Sequence, residues 1–206
     1  MNKNTEDKVR IIKQAFHLSM NGMTSHSMRS KGINYKINWG VPFVNLLDMA
    51  AEYGKDYSLA VELWKEDIRE CKILATLIMP YEEMTEELAE LWMEQTPNQE
   101  IAEMAAYNLY QHLPFAPKMA FRWAAKNSDL YQIAAYNIFS KLFSNNCLLE
   151  QRSLEEFFNQ ALTAIQDNNI GVRHAAQNSL LRLSSINSEY EQKVQDAMKR
   201  WNMDVF

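Results

Sequence analysis

Glycine, proline and cysteine are scarce in this chain of 206 residues, which contains five Gly, five Pro and two Cys. So few breakers favour helices and argue against a turn-rich β fold. The cysteines, Cys71 and Cys147, form no CxxC motif, and the four His are scattered singly. Because no Cys/His set has the spacing of a metal site, we predict no bound metal.

Long apolar runs and nucleotide-binding motifs are also missing. No run approaches the ~20 apolar residues that a membrane span needs, and the polar segment Met1–Lys8 has no apolar stretch of the signal-peptide type. The chain contains no GxxxxGK[ST], GxGxxG or GxSxG motif. We therefore expect a cytoplasmic protein with no membrane partner, no nucleotide cofactor and no other cofactor.

The charges are distributed unevenly about a net charge of −5. Residues 1–42 contain seven basic and two acidic side chains, whereas residues 43–111 contain four basic and fifteen acidic ones, a net charge of −11. Residues 112–206 are nearly neutral, with a net charge of +1. The total argues against a generic nucleic-acid coat protein, but the distribution matters more, since the two ends are neutral to basic.

Local signals predict a series of helices and no strand. Pro42 fits the first turn of a helix that runs through Tyr53, and Gly54 fits its C′ position. The segment Thr96-Pro97-Asn98-Gln99 has the form of a capping box with Pro at N1, which predicts a helix from there to about His112. No segment shows the alternation of polar and apolar residues that is typical of a strand.

The predicted helices form pairs, and the pairs repeat. Trp64, Trp92 and Trp123 each lie near the end of one helix, and the following helix carries a segment of small residues. These segments, with a looser fourth copy, begin at residues 74, 105, 134 and 175, at spacings of 31, 29 and 41. Such a period, with two helices per unit, is typical of HEAT-like repeats.

The fold class predicted from this pattern is all-α, a right-handed α-α superhelix of HEAT-like helix pairs. We expect a single HEAT-like repeat domain over residues 1–206, because no linker divides the chain. The three repeated Trp rings are expected to fill the core between successive units, and the alternative for any one of them is stacking on a lesion.

Glu100 and Glu103 are the candidate catalytic carboxylates. They stand three residues apart on one face of the helix that follows the Thr96 capping box, and Glu100 lies in the first turn, where a negative charge suits the helix dipole. Facing the groove of a solenoid, such a carboxylate could stabilise a cationic centre or orient water. The alternative is a solvated helix start without a chemical role.

Basic side chains on the second helices of the pairs are the candidate DNA-binding residues. Together they could clamp phosphates on either side of an acidic centre, although each alone is more typical of a solvated helix face. Further cations stand near the N-terminus at Arg29, Lys31 and Lys36. The candidates on the second helices are Arg69, Lys72, Lys141, Arg173 and Arg182.

Three segments resemble the AlkD-like DNA alkylation repair family. They are Asn38-Trp39-Gly40-Val41-Pro42, then Leu59-Ala60-Val61-Glu62-Leu63-Trp64, then Ile68-Arg69-Glu70-Cys71-Lys72-Ile73-Leu74-Ala75. The family shows a Gly-Val element before a helix, a Leu-Trp that ends a helix, and an Arg-Glu that opens the next helix. The resemblance in order and spacing continues, as alternating helix pairs, over most of the chain.

The resemblance implies a HEAT-like solenoid that holds duplex DNA in its concave groove. It implies excision of positively charged alkylated purines, such as N3- or N7-alkyl bases, without a metal or a nucleotide cofactor. In the family, aromatic side chains and an Asp contact the sugar of the lesion, and the carboxylate stabilises the developing oxocarbenium charge.

The positions that would carry this chemistry are altered. Where the family has Trp-Asp-x-x-Asp, this chain has Gln99-Glu100-Ile101-Ala102-Glu103. Glu103 then replaces the catalytic Asp, and in a register shifted by one residue Ala102 stands there instead. Ile133 stands where the family carries an Arg, and Asn178 or a neighbour stands at the place of a lesion-facing Trp.

We therefore predict a DNA alkylation repair protein of the AlkD-like type. It is expected to bind duplex DNA and to be a weak, altered or absent glycosylase for cationic N3-/N7-alkylated purines. The alternative is a non-enzymatic HEAT-repeat scaffold with a protein partner, which the acidic middle of the chain favours.

Overall fold

The structure, a computed structural model, describes residues 3–201, except for the side chain of Lys3. Within this range the chain forms twelve α-helices, two short 3₁₀ turns and no β-strand. It divides after Leu109 into two compact units, which we call unit 1 and unit 2. The single repeat domain over the whole chain stays a prediction. Among the described helices none is both long and apolar enough to cross a bilayer.

Unit 1 contains seven helices and one 3₁₀ turn, which lies between α5 and α6. The helices are α1 Lys3–Leu18, α2 Gly22–Ser30, α3 Phe43–Tyr53, α4 Tyr57–Lys65, α5 Arg69–Ile78, α6 Glu86–Glu94 and α7 Gln99–Asn108, and the turn is Tyr81–Glu83.

Unit 2 begins with the 3₁₀ turn Tyr110–His112 and continues with five helices. These are α8 Ala116–Ala124, α9 Asp129–Ser144, α10 Gln151–Ala164, α11 Ile170–Ser184 and α12 Ser188–Arg200. The four predicted small-residue segments, which begin at residues 74, 105, 134 and 175, lie on α5, α7, α9 and α11. The prediction of repeated helix pairs is therefore confirmed.

The start of α7 differs from the prediction. Asn98, not Thr96, is its N-cap, and the Asn98 side chain accepts a hydrogen bond from the amide of Ile101 at 3.1 Å. The Thr96 hydroxyl instead donates to the carbonyl of Trp92 at 2.9 Å and closes the end of α6. Asn98 wins because a short carboxamide is as good a cap as a hydroxyl, and Pro97 then lies outside the helix. Glu100 still stands in the first turn of α7.

The core of unit 1 is built around α5, which packs against α3, α4 and α7. From Arg69 to Thr76 every residue of α5 is buried, charged ones included. Beside it the predicted core role of two Trp is confirmed, because Trp64 and Trp92 are each 1% exposed and stack at 4.2 Å between ring centroids. The Trp64 indole donates to Gln95 at 3.1 Å, which satisfies its N–H.

The core of unit 2 is built around α9, which packs against α8 and α11. Trp123 is fully buried and meets Tyr110 edge to face at 5.1 Å, so its predicted core role is also confirmed. Phe139, Phe143 and Phe157 form an aromatic cluster between α9 and α10, with centroids 5.0 to 6.0 Å apart.

Candidate nucleic-acid interface and the carboxylates of helix α7

Glu100 is one half of a buried ion pair with Arg69. Arg69 Nη2 donates to Glu100 Oε1 at 2.7 Å, and Arg69 Nε lies 3.0 and 3.1 Å from the two carboxylate oxygens. The side chains are 5% and 13% exposed. The partners stand at the first turns of α5 and α7, so the pair ties the second helix of one repeat to that of the next.

The same guanidinium reaches a second carboxylate, Glu70, which is fully buried. Glu70 Oε1 accepts from Arg69 Nη1 at 3.3 Å and from the amide of Val41 at 3.2 Å, and its Oε2 accepts from the amide of Trp39 at 3.3 Å. Arg69 Nη1 also donates to the carbonyl of Val41 at 3.2 Å. The Arg-Glu that opens α5 therefore holds the irregular segment before α3 against the core.

Gly40 completes this attachment. Its φ is +69°, in the region where a Cβ is strained, and a Cβ here would lie 2.8 Å from the amide nitrogen of Ser25 and still closer to the carbonyl oxygen of Asn21. The amide of Asn21 donates to the carbonyl of Trp39 at 2.8 Å across this contact. Only glycine fits here without displacing the start of α2.

Tyr35 is a partner of Glu100 that the sequence did not indicate. Its hydroxyl donates to Glu100 Oε2 and lies 3.2 Å from the side-chain oxygen of Asn98. Burial, and then the hydrogen bond and charge of Glu100, raise the pKa of Tyr35 far above its ordinary value. Burial acts to lower the pKa of Arg69, but the hydrogen bonds and charge of Glu100 outweigh it, so the pKa is raised. Both groups are held in their usual protonation states.

Two of the predicted DNA-binding cations are consequently not accessible. Arg69 is 4% exposed and occupied by the two carboxylates. Lys72 is 7% exposed; its Nζ donates to the carbonyl of Trp64 at 2.8 Å and lies 4.5 Å from the centre of the Trp64 ring. Burial lowers the pKa of Lys72, partly offset by the charge of Asp67. Their roles in this structure are in the packing of unit 1.

Glu103 is in a different environment from Glu100. Its side chain is half-buried on α7 and accepts a hydrogen bond from Gln99 Nε2 at 2.7 Å, one turn earlier. No ion pair to Glu103 is present among the described residues. Of the two candidate carboxylates, Glu103 is therefore the one whose charge is not already neutralised.

The remaining candidate cations stand on α9 and α11 of unit 2, which pack side by side. Arg182 is exposed and Lys141 is half-buried, and the two lie close enough that the charge of Arg182 adds to burial in lowering the pKa of Lys141. Arg173 is half-buried, and its Nη1 donates to the carbonyls of Asp167 and Asn168 at 2.7 and 3.1 Å. These carbonyls orient the Arg173 guanidinium without neutralising it.

The other two positions that the resemblance marks as altered, Ile133 and Asn178, both lie in unit 2. Ile133 is 1% exposed in the core of unit 2, and Asn178 is exposed on α11. In the described part of the chain no group of three or more His, Cys, Asp or Glu side chains is arranged to hold a metal ion.

A family model for the DNA alkylation repair enzyme matches residues 12–202. The chain belongs to this DNA alkylation repair enzyme family. Within the family fold, Gly40, Arg69 and Glu70, which carry much of the sequence resemblance, fix the segment before α3 against α5. In this chain their contacts are structural.

One solved structure is similar over most of both chains. It is described as "A new family of proteins related to the HEAT-like repeat DNA glycosylases with affinity for branched DNA structures". The superposition has a TM-score of 0.82 at 16% identity and covers 92% of this chain and 81% of the other. The all-α, HEAT-like fold is therefore confirmed. A comparison with the curated proteins gives no match.

Proposed function

We propose that this member of the DNA alkylation repair family binds DNA through backbone phosphates contacted by α9 and α11. The observation that carries the proposal is the placement of Lys141 on α9 and of Arg182 on α11, two helices that pack side by side. A DNA phosphate that approaches these two helices would be attracted by both cations. Arg173, held by carbonyls alone, adds a third cation to α11.

The known similarities support DNA as the partner. The family model is that of a DNA alkylation repair enzyme, and the structurally similar protein is described as having affinity for branched DNA structures. The densest group of acidic side chains, six of the fifteen between residues 43 and 111, lies on the 3₁₀ turn Tyr81–Glu83 and on α6, the first helix of its pair. They are therefore outside the second helices to which we assign the phosphate contacts.

Binding can be tested with a labelled duplex at several salt concentrations, by fluorescence anisotropy. We expect tight binding at low salt and a double variant, Lys141→Gln with Arg182→Gln, that binds more weakly and with a shallower salt dependence. Removing two phosphate contacts lowers the slope of log K against log salt by about 1.8. The matched control is Arg152→Gln with Lys199→Gln, which removes the same charge from exposed positions on α10 and α12.

Absence of duplex binding by the natural protein at low salt would contradict the proposal, because phosphate contacts are strongest there. Equal losses in the two double variants would also contradict it, since only the general charge of unit 2 would then matter. Either result would favour the scaffold alternative.

Base excision is a second candidate function, and the accessible charge of Glu103 favours it. We infer that Glu103, rather than Glu100, is the carboxylate available to stabilise a developing oxocarbenium charge, because Arg69 and Tyr35 occupy Glu100. Neither neighbour of Glu103 in the altered motif is aromatic, so we expect the excision to be slow. Stacking on an aromatic side chain contributes about 1–3 kcal/mol per base elsewhere.

The excision test is release of 7-methylguanine from a labelled duplex. Release by the natural protein that Glu103→Gln abolishes would support Glu103 as the catalytic carboxylate. If the Glu103→Gln variant still releases the base, a residue other than Glu103 is the catalytic carboxylate. If the natural protein releases no base above the buffer control, DNA binding remains as the proposed function.

A further inference from the structure

The segment Leu18–Lys36, which we call the α2 segment, exposes large apolar side chains at one end. Leu18 is 86% exposed, Met20 56% and Met23 83%, and all three lie within six residues at the turn between α1 and α2. No residue of α2 itself is buried. Such a group of exposed apolar side chains next to one another is typical of a binding surface.

The other end of the α2 segment is basic. Arg29, Lys31 and Lys36 are exposed, and no carboxylate pairs with them among the described residues. The other described cations of unit 1 bind groups of the protein itself. Lys8, Arg10, Lys13, Lys65 and Arg69 pair with carboxylates, while Lys55 and Lys72 bond to carbonyl oxygens.

The charge of unit 1 makes this end distinctive. Residues 43–109 carry the whole net charge of −11 that the sequence places between residues 43 and 111, because Tyr110 and Gln111 are uncharged. An anionic partner that approaches unit 1 is therefore attracted only toward the basic N-terminal part. Among the cations of that part whose side chains the structure describes, Arg29, Lys31 and Lys36 are the ones that no carboxylate neutralises.

The apolar turn is firmly attached despite its exposure. The amide of Asn21 donates to the carbonyl of Trp39 at 2.8 Å, and the Asn21 side chain caps α2 by accepting from Thr24 at 3.1 Å. The backbone of Gly40 packs directly against Asn21 and Ser25. The turn therefore presents its side chains from a fixed backbone, which lowers the entropy cost of binding.

We propose that the α2 segment is a second DNA contact, in which Leu18, Met20 and Met23 pack against unstacked bases at a branch point. Arg29, Lys31 and Lys36 then hold the phosphates beside it. This inference rests on the proposed DNA binding and adds a preference for branched over continuous duplex DNA. Apolar side chains that meet bases at an opened step, flanked by cations, are a general mode of binding distorted DNA.

Other occupants fit the segment less well. A second copy of the chain would bring Arg29, Lys31 and Lys36 close to their own counterparts, and like charges oppose such contact. An anionic bilayer would suit the charge, but helices that lie in a bilayer surface bury an apolar face along their length. Here the exposed apolar residues stand only at and before the first turn of α2, a helix of nine residues.

The test compares a three-way DNA junction with a duplex of equal length and charge, using the double variant Leu18→Ser with Met23→Ser. We expect the natural protein to bind the junction more tightly and the variant to lose about ten-fold in junction affinity, because it no longer buries two apolar side chains against the bases, with duplex affinity unchanged. The matched control is Val44→Ser with Leu148→Ser, because these side chains are 59% and 54% exposed elsewhere on the chain.

A spectroscopic measurement and a charge variant make the test independent of affinity alone. A 2-aminopurine at the branch should change its fluorescence with the natural protein and not with Leu18→Ser/Met23→Ser. The triple variant Arg29→Gln, Lys31→Gln and Lys36→Gln should lower the salt slope for the junction by up to about 2.7 and leave the slope for the duplex unchanged.

The failures of the two proposals are distinguishable. If the natural protein binds neither DNA, the proposed function fails and the inference falls with it. If it binds DNA but Leu18→Ser/Met23→Ser keeps the natural ratio of junction to duplex affinity, the inference alone is overturned. A vesicle experiment provides the other contrary result. If the natural protein sediments with vesicles of anionic phospholipid, and Leu18→Ser/Met23→Ser does not but keeps the natural ratio of junction to duplex affinity, the inference is overturned and the segment binds a bilayer.

Discussion

Replacing Glu100 by Gln tests whether its charge is structural. The substitution keeps the shape of the side chain and removes the negative charge that faces the guanidinium of Arg69, which is 4% exposed. The acceptor of the shortest hydrogen bond of Arg69, at 2.7 Å, then no longer carries a charge. A buried cation that loses its charged partner strongly destabilises the fold, because burial has removed its hydration and no opposite charge compensates for that loss.

The magnitude follows from what remains around Arg69. Breaking a buried ion pair on one side costs about 3–5 kcal/mol. Glu70 stays 3.3 Å from Arg69 Nη1, and the Gln side chain keeps one acceptor oxygen, so the lower end, about 3 kcal/mol, is expected. For a chain of this length this corresponds to a decrease of roughly 6–12 °C in Tm.

Urea unfolding and calorimetry measure this change, with Glu103→Gln as the matched control on the same helix. The control removes an equal charge from a half-exposed site and should stay within about 0.5 kcal/mol of the natural protein. In an Arg69→Gln background the cost of Glu100→Gln should shrink, because the pair is already broken. Equal stabilities of the two single variants would refute the structural assignment of Glu100.

Three further predictions concern two glycines, two buried tyrosines and a capping aspartate. Gly54→Ala should cost about 1–3 kcal/mol in urea unfolding from backbone strain alone, and Gly40→Ala should cost more, because both have positive φ but only Gly40 also lacks room for a Cβ. Burial raises the pKa of Tyr35 and Tyr136, so an ultraviolet titration should show both phenols protonated well above pH ~10, until unfolding. Burial acts to raise the pKa of Asp56, but hydrogen bonds from Lys8 and from backbone amides outweigh it and lower the pKa. This stabilisation is present above the ordinary pKa of an Asp and is lost as the pH falls through the folded value, so Asp56→Asn should be less stable than the natural protein near neutrality and should converge with it below about pH 4.

The fold was largely predictable because its signals are local and repeated. Asp56, Thr85 and Asn169, which are residue types that favour the N-cap position, accept hydrogen bonds from the first-turn amides of α4, α6 and α11. The N-terminal region shows what local signals miss: α1 ends at Leu18, and Asn21 caps a separate α2. That break depends on the contact of Asn21 with Trp39 and Gly40, which the local sequence does not contain.

The candidate site was less predictable, because the availability of a charge depends on its partner. Glu100 was correctly placed in a first helical turn, but its partners Arg69 and Tyr35 lie 31 and 65 residues away. Lys72 was expected on an accessible face and is instead buried over Trp64. A helical repeat predicts which helix a cation occupies, and it does not predict which cations the packing of neighbouring repeats will bury.

The polar contacts between repeats follow the period of the sequence. In unit 1 the pairs Arg69–Glu100 and Trp64–Gln95 are separated by 31 residues and Thr76–Asn108 by 32, which matches the spacing of 31 between the first two small-residue segments. In unit 2 the side chain of Asn169 donates to Asp129, 40 residues earlier. This separation is close to the spacing of 41 between the last two small-residue segments. Each contact joins equivalent places in successive repeats, where a polar pair fixes the register that apolar packing alone leaves loose. Glu100 therefore belongs to the contacts that hold the repeats together, and a carboxylate engaged in this way is unavailable to a substrate unless the register is broken.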